Sequence, residues 1–95
     1  MVKHIVMFKL KNKSPETTDQ LVAALKGLEG PIETLKSIEV GVDFKGSERS
    51  FDVVLTTGFD DRDGLTAYAV HPHHQPVLGL AGELCSEVKV VDYDC

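Results

Sequence analysis

From Val2 to Leu10 the chain places Val2, His4, Val6, Phe8 and Leu10 in alternation with Lys3, Ile5, Met7 and Lys9. A period of two sends successive side chains to opposite faces of an extended strand, so this segment has one face that is apolar throughout except for His4. Such a strand must pair within a sheet and be covered by another layer, and that need constrains everything downstream. An imidazole buried on that face without a partner costs on the order of 1 to 3 kcal/mol, so His4 must find a hydrogen bond.

The same period returns three more times. Between Leu35 and Phe44 it sets Ile38, Val40, Val42 and Phe44 against Ser37, Glu39, Gly41 and Asp43. After Lys45-Gly46-Ser47-Glu48-Arg49-Ser50, a composition suited to a hairpin loop, Phe51, Val53, Leu55, Thr57 and Phe59 alternate with Asp52, Val54, Thr56 and Gly58. A last strand is expected from Glu87 to Tyr93. Helical spacing fills the gaps. Ser14-Pro15-Glu16 combines an N-cap residue, proline at the first helical position and a first-turn acid, and Leu21, Val22, Leu25 and Leu28 carry the pattern from Pro15 to about Glu29. Asp60-Asp61-Arg62-Asp63 opens a second helix through Ala69, and a further helical piece is expected from Pro72 to about Leu84, taking in Cys85 as a small buried hydrophobe.

The order β-α-β-β-α-β predicts a ferredoxin-like α+β fold with a four-stranded antiparallel sheet and helices on one face. With 95 residues, 42% hydrophobic and 26% charged, the chain reads as a single domain spanning residues 1–95. The uncovered sheet face carries Ile5, Met7, Val54, Val91 and Tyr93 among Lys3, Lys9, Glu39 and Asp43. That face is too apolar to remain in water, and two copies pairing through it would form a homodimer. A net charge of −5 and the lack of a basic stripe argue against a nucleic-acid partner. No apolar run suits a membrane span or a secretory leader, and Cys85 and Cys95 are too few and too far apart for a disulfide framework. Free thiols and a cytoplasmic location are expected.

Three of the four histidines, two of the four prolines and one of the two tyrosines fall within Tyr68-Ala69-Val70-His71-Pro72-His73-His74-Gln75-Pro76-Val77. Proline disfavours helix in the residue before it, so His71-Pro72 should end one helix and open the next, placing His74 one turn inside. Imidazole and phenol can donate, accept or transfer protons near neutral pH. Metal binding is not expected. Ligands sharing one helix face are three or four residues apart, so only His71 and His74 could converge. No phosphate-cradling glycine motif or nucleophile elbow occurs, and no cofactor is implied.

The segments Met1-Val2-Lys3-His4-Ile5-Val6 with Phe8-Lys9, Phe51-Asp52-Val53-Val54, Tyr68-x-x-His71-Pro72-x-His74 and Val90-Val91-Asp92-Tyr93 together resemble the stress-responsive A/B barrel (Dabb) family over essentially the whole chain. The resemblance implies a dimeric α/β barrel in which two four-stranded sheets close on each other with the helices outside. Most members have no assigned activity. One plant member is a polyketide cyclase that uses aldol chemistry in a pocket between helices and sheet; its acid/base pair corresponds to Tyr68 and His74, and its first-strand histidine to His4. Where that enzyme has a further pocket histidine and a helix tyrosine, this chain has Val53 and Leu25.

Two functional readings follow. In one, the protein binds a small apolar, oxygenated molecule, with His4, Tyr68 and His74 as the reactive or hydrogen-bonding groups, Phe8, Val53 and Leu55 as pocket wall and His71 beside them. In the other, the barrel is structural and side chains close its interior. A cavity of ~300 Å³ or more beside Tyr68 and His74 favours the first, since ligand sites usually start near that size.

Overall fold

A computed structural model describes residues Met1–Cys95. The elements are β1 (Val2–Leu10), α1 (Pro15–Lys26), β2 (Ser37–Val42), β3 (Val53–Phe59), α2 (Arg62–Ala69), α3 (Gln75–Leu84) and β4 (Cys85–Asp94). The strands form one antiparallel sheet in the order β2-β3-β1-β4, the ferredoxin-like arrangement that the alternation implied. No helix is long and apolar enough to cross a membrane.

β1 is central. It pairs with β3 on one side, Val6 opposite Leu55, and with β4 on the other, Val6 opposite Val90. Parity then carries across the sheet. Val2, Val6, Phe8, Val53, Leu55 and Phe59 turn beneath the helices into a buried cluster with Leu21, Leu25 and Leu28 of the α1 region and Ile32. Met7, Val91 and Tyr93 lie exposed on the opposite face, beside the half-buried Ile5 and Val54.

α1 starts where the sequence signals placed it. The Ser14 hydroxyl accepts from the Thr17 amide, and the Thr17 hydroxyl accepts from the Ser14 amide, both at 3.1 Å. This reciprocal cap satisfies two amides that the first turn leaves free. The helix ends at Lys26, three residues before the expected Glu29, because Gly27 serves as C-cap and the chain tightens through an i→i+3 turn that still buries Leu28. Gly30 then takes φ 104°, a left-handed conformation that a side chain would disfavour.

Other boundaries also differ from the sequence reading. β2 and β3 are shorter than expected, because the connection runs from Asp43 to Asp52, held by the Asp43 amide donating to the Asp52 carbonyl and the Gly46 amide to the Asp43 carboxylate. α3 begins at Gln75 instead of Pro72. A helix starting at Pro72 would require an amide hydrogen at Pro76, which proline lacks; beginning at Gln75 places Pro76 in the first turn, where none is needed. His74 is therefore the N-cap residue of α3, not a residue one turn inside it. Cys85 is buried as expected, but it is the first residue of β4, opposite Leu10 at a register shift, and not part of the helix.

Leu21 is fully buried at the centre of the α1 contact. Leu21→Ala should cost about 2–5 kcal/mol of unfolding free energy in denaturant titration, against about 1 kcal/mol for loss of the Ser14 cap in Ser14→Ala. Equal effects would show that α1 is held by its own propensity and not by packing.

Candidate functional site

Between the helices and the β1–β4 half of the sheet lies a cavity of about 330 Å³. Val6, Phe8 and Leu55 form its floor, Leu25, Val77, Leu78 and Ala81 its helical wall with Leu28 of the turn after α1, and Val88 and Val90 its β4 side. Its polar groups are His4, Tyr68 and His74, and no lysine or arginine lines it.

Tyr68 is delivered by α2, whose N-cap Asp61 accepts from the Gly64 amide at 2.8 Å. The tyrosine is 1% exposed and packs on Phe59 with ring centroids 5.1 Å apart. Its hydroxyl is buried and has no hydrogen-bond partner within the chain. Withdrawal from water pushes its pKa up to about 12, so it is a neutral O–H donor at physiological pH.

His74 lies against it, ring centroids 4.4 Å apart. Its Nδ1 is 3.1 Å from the Ala69 carbonyl oxygen, which can only accept, so the proton is on Nδ1 and Nε2 is left with a free lone pair. Burial holds this imidazole below the usual histidine range, more than the Ala69 carbonyl raises it; the neighbouring His4 and His71 lower it further. Neutral His74 beside neutral Tyr68 pairs an acceptor nitrogen with a donor hydroxyl.

His4 reaches the same cavity from β1, its ring centroid 5.9 Å from that of Tyr68. The hydrogen bond it needed comes from Asp92, directly opposite on β4, whose carboxylate accepts from Nδ1. On its other flank the buried Thr57 donates to the His4 carbonyl at 3.1 Å. Asp92 thus fixes the ring's orientation, and it was not among the candidate site residues read from the sequence. The signal was present as an acid in the last strand, but only the placement of β4 beside β1 puts 92 opposite 4.

Of the seven residues proposed from sequence, His4, Tyr68, His74, Phe8 and Leu55 converge on this cavity, and two do not. Val53 is core: it sits opposite Phe8 at the start of β3 but is outside the lining. His71 turns away: its Nδ1 accepts from the His73 amide at 3.1 Å and its ring stacks on His73 at 5.4 Å. Its backbone amide donates to the Tyr68 carbonyl, a bond that shapes the turn. The α3 residues Val77, Leu78 and Ala81 were missed because the late start of that helix decides which of its faces looks inward.

Residues 2–95 match the family described as the Stress responsive A/B Barrel Domain. An uncharacterized protein of Streptomyces coelicolor is 30% identical over 97 residues, spanning 99% of both chains. A dimeric ferredoxin-like protein of unknown function from Thermobifida fusca superposes with a TM-score of 0.88 at 25% identity, covering 99% of this chain and 90% of that one. A hydroxynitrile lyase from Passiflora edulis shares the fold at a TM-score of 0.84 and 18% identity, covering 97% of this chain and 90% of that one.

The lowered His74 pKa has a measurable consequence. Between the ordinary value of 6.5 and the lower folded value, the unfolded chain binds a proton at this ring that the folded chain resists. Stability from this group is therefore complete above 6.5 and declines as pH falls through the folded pKa. In thermal unfolding across that window, His74→Gln, which keeps a donor for the Ala69 carbonyl, should lose stability less steeply than the parent. Parallel curves would show that His74 is not desolvated.

Proposed function

The chain belongs to the stress responsive A/B barrel family, and from that premise we propose that it binds a small, neutral, largely apolar molecule bearing a carbonyl or hydroxyl oxygen, in the cavity between its helices and sheet. The observation that carries this reading is the Tyr68 hydroxyl, buried without a partner in a residue that lines an otherwise apolar cavity of about 330 Å³. A buried hydroxyl left unpaired costs about 1–3 kcal/mol, a cost that a ligand oxygen would remove. The absence of lysine and arginine from the lining favours a neutral ligand over an ionised acid.

The same groups supply acid/base chemistry. His74 Nε2 is free to take a proton, as from a carbon beside a carbonyl, while the Tyr68 hydroxyl donates to the oxygen on which negative charge then gathers. His4, oriented by Asp92, presents a third polar edge to the same space. That a hydroxynitrile lyase is built on this fold supports its capacity to house an enzyme.

The protein acts as a homodimer paired through the face of Ile5, Met7, Val54, Val91 and Tyr93. The dimeric relative of similar fold and the exposed apolar surface of this face support that pairing.

Tyr68→Phe separates a ligand-binding hydroxyl from a structural one. The variant should keep or gain stability, by up to about 3 kcal/mol, since no partner is lost and the cost of the unpaired hydroxyl is removed. It should also abolish the thermal shift given by neutral aromatic ketones, aldehydes and phenols in the parent, with matched carboxylates as controls. A destabilised variant, or a parent that responds to no neutral oxygenated compound, would overturn the reading. For the pairing, Val54→Lys places a charge in an apolar contact and should convert dimer to monomer in light scattering at micromolar concentration; a parent already monomeric there would refute it.

A further inference from the structure

The hydrogen-bonding directions of the cavity's histidines are set from behind the rings. His74 meets the Ala69 carbonyl through Nδ1, and His4 meets the Asp92 carboxylate through Nδ1. A carbonyl and an ionised carboxylate have no hydrogen to give, so in each neutral ring the proton stands on Nδ1 and Nε2 keeps its lone pair. Neither Nε2 has a hydrogen-bond partner within the chain. Tyr68 offers the opposite polarity, an O–H without an acceptor.

Asp92 is committed to this contact. It stands on β4, an edge strand, and lines a groove with Arg62, Thr66 and Asp94 of which the cavity is no part. Arg62, the cation of that groove, is bonded to Asp94, which leaves His4 as the only side-chain partner of Asp92. His4 in turn lines the cavity and not the groove, so the acid acts on the cavity through the ring alone. The His4 and His74 ring centroids lie 5.9 and 4.4 Å from that of Tyr68, so two acceptor rings and one donor ring border the space that a single small molecule would fill.

We infer that Asp92 is a positioning residue that determines specificity: by holding His4 in its Nδ1–H form it gives the cavity two acceptors and one donor, and so selects a neutral hydroxy-ketone. The ketone oxygen takes the Tyr68 hydrogen, and the hydroxyl donates to an imidazole Nε2. A simple ketone, or an ether of the same shape, satisfies Tyr68 and leaves both nitrogens bare. An asparagine at this position would not set the ring, because a carboxamide can accept through its oxygen or donate through its nitrogen. The inference deepens the ligand reading given above and rests on it for the ligand class; the state of the His4 ring does not depend on it.

Two measurements test it. In protein isotopically labelled at the histidine ring nitrogens, at about pH 8 and so above the ordinary histidine value, nitrogen chemical shifts should place the His4 and His74 protons on Nδ1. In Asp92→Asn the His4 signal should move towards a mixture of tautomers with His74 unmoved. Asp94→Asn, which removes an equal charge from the same strand without touching His4, should change neither. In the parent, at least one of α-hydroxyacetophenone and β-hydroxypropiophenone should bind about tenfold more tightly than its O-methyl ether. Asp92→Asn should bring that ratio towards one, and Asp94→Asn should keep it; a merely structural Asp92 would lower stability and leave tautomer and ratio unchanged. A parent His4 carrying a proton on Nε2, as the other tautomer or as the cation, would overturn the inference, as would equal binding of hydroxy-ketone and ether. Equal binding leaves the broader ligand reading standing. A parent that responds to no neutral oxygenated compound sinks that reading and the hydroxy-ketone assignment together, and the His4 signal then still decides whether Asp92 sets the ring.

Discussion

β1 is hydrogen-bonded on both sides, and everything else is placed relative to it. A strand with two partners cannot slip by one residue without turning every apolar side chain of three strands to the wrong face. That rigidity fixes two surfaces at once. One carries Val2, Val6, Phe8 and Leu10 into the core; the other leaves Met7 uncovered beside Val91 and Tyr93. The helices have apolar surface enough for only one of them, so the fold is born with a face that needs a second copy or another layer.

His4 shows what this rigidity is used for. An imidazole in the middle of a core-facing row would ordinarily be a liability, but the register delivers an acceptor from the neighbouring strand, and the ring is held from behind by Asp92. His74 is treated likewise by the Ala69 carbonyl. Both histidines therefore reach the cavity with one nitrogen occupied and the other turned loose, which gives a polar group direction in an apolar space. Tyr68 is the exception. It is anchored by packing on Phe59 and has no hydrogen bond to satisfy it, so the unmet need at the site is concentrated on a single hydroxyl.

The break between α2 and α3 assembles this group. Tyr68 lies in the last turn of α2 and His74 holds the N-cap position of α3, and the turn at His71-Pro72-His73 folds the chain back until the two rings are in contact. An uninterrupted helix would separate positions six apart by nearly two turns and send them to different faces. The histidine that begins the turn serves its shape, and the one that ends it serves the cavity.

Much of this was written locally. Period-two alternation determined the strands and their faces, Ser14-Pro15 determined where the first helix begins, and the spacing of apolar residues determined its buried side, because each depends on neighbours a few positions away. The convergence of His4, Tyr68 and His74 could be anticipated from parity and from the proline break. The start of α3 was local too, since Pro76 overrode Pro72: one missing amide is tolerated in the first turn and not in the second. Other features were decided only when the chain closed on itself. Asp92 became the partner of His4 through a register between residues 88 positions apart, and Val53 and His71 fell outside the cavity although both lie close to it in sequence or in the sheet. Pairing, orientation and enclosure are properties of distant segments meeting, and no local pattern encodes which segments meet.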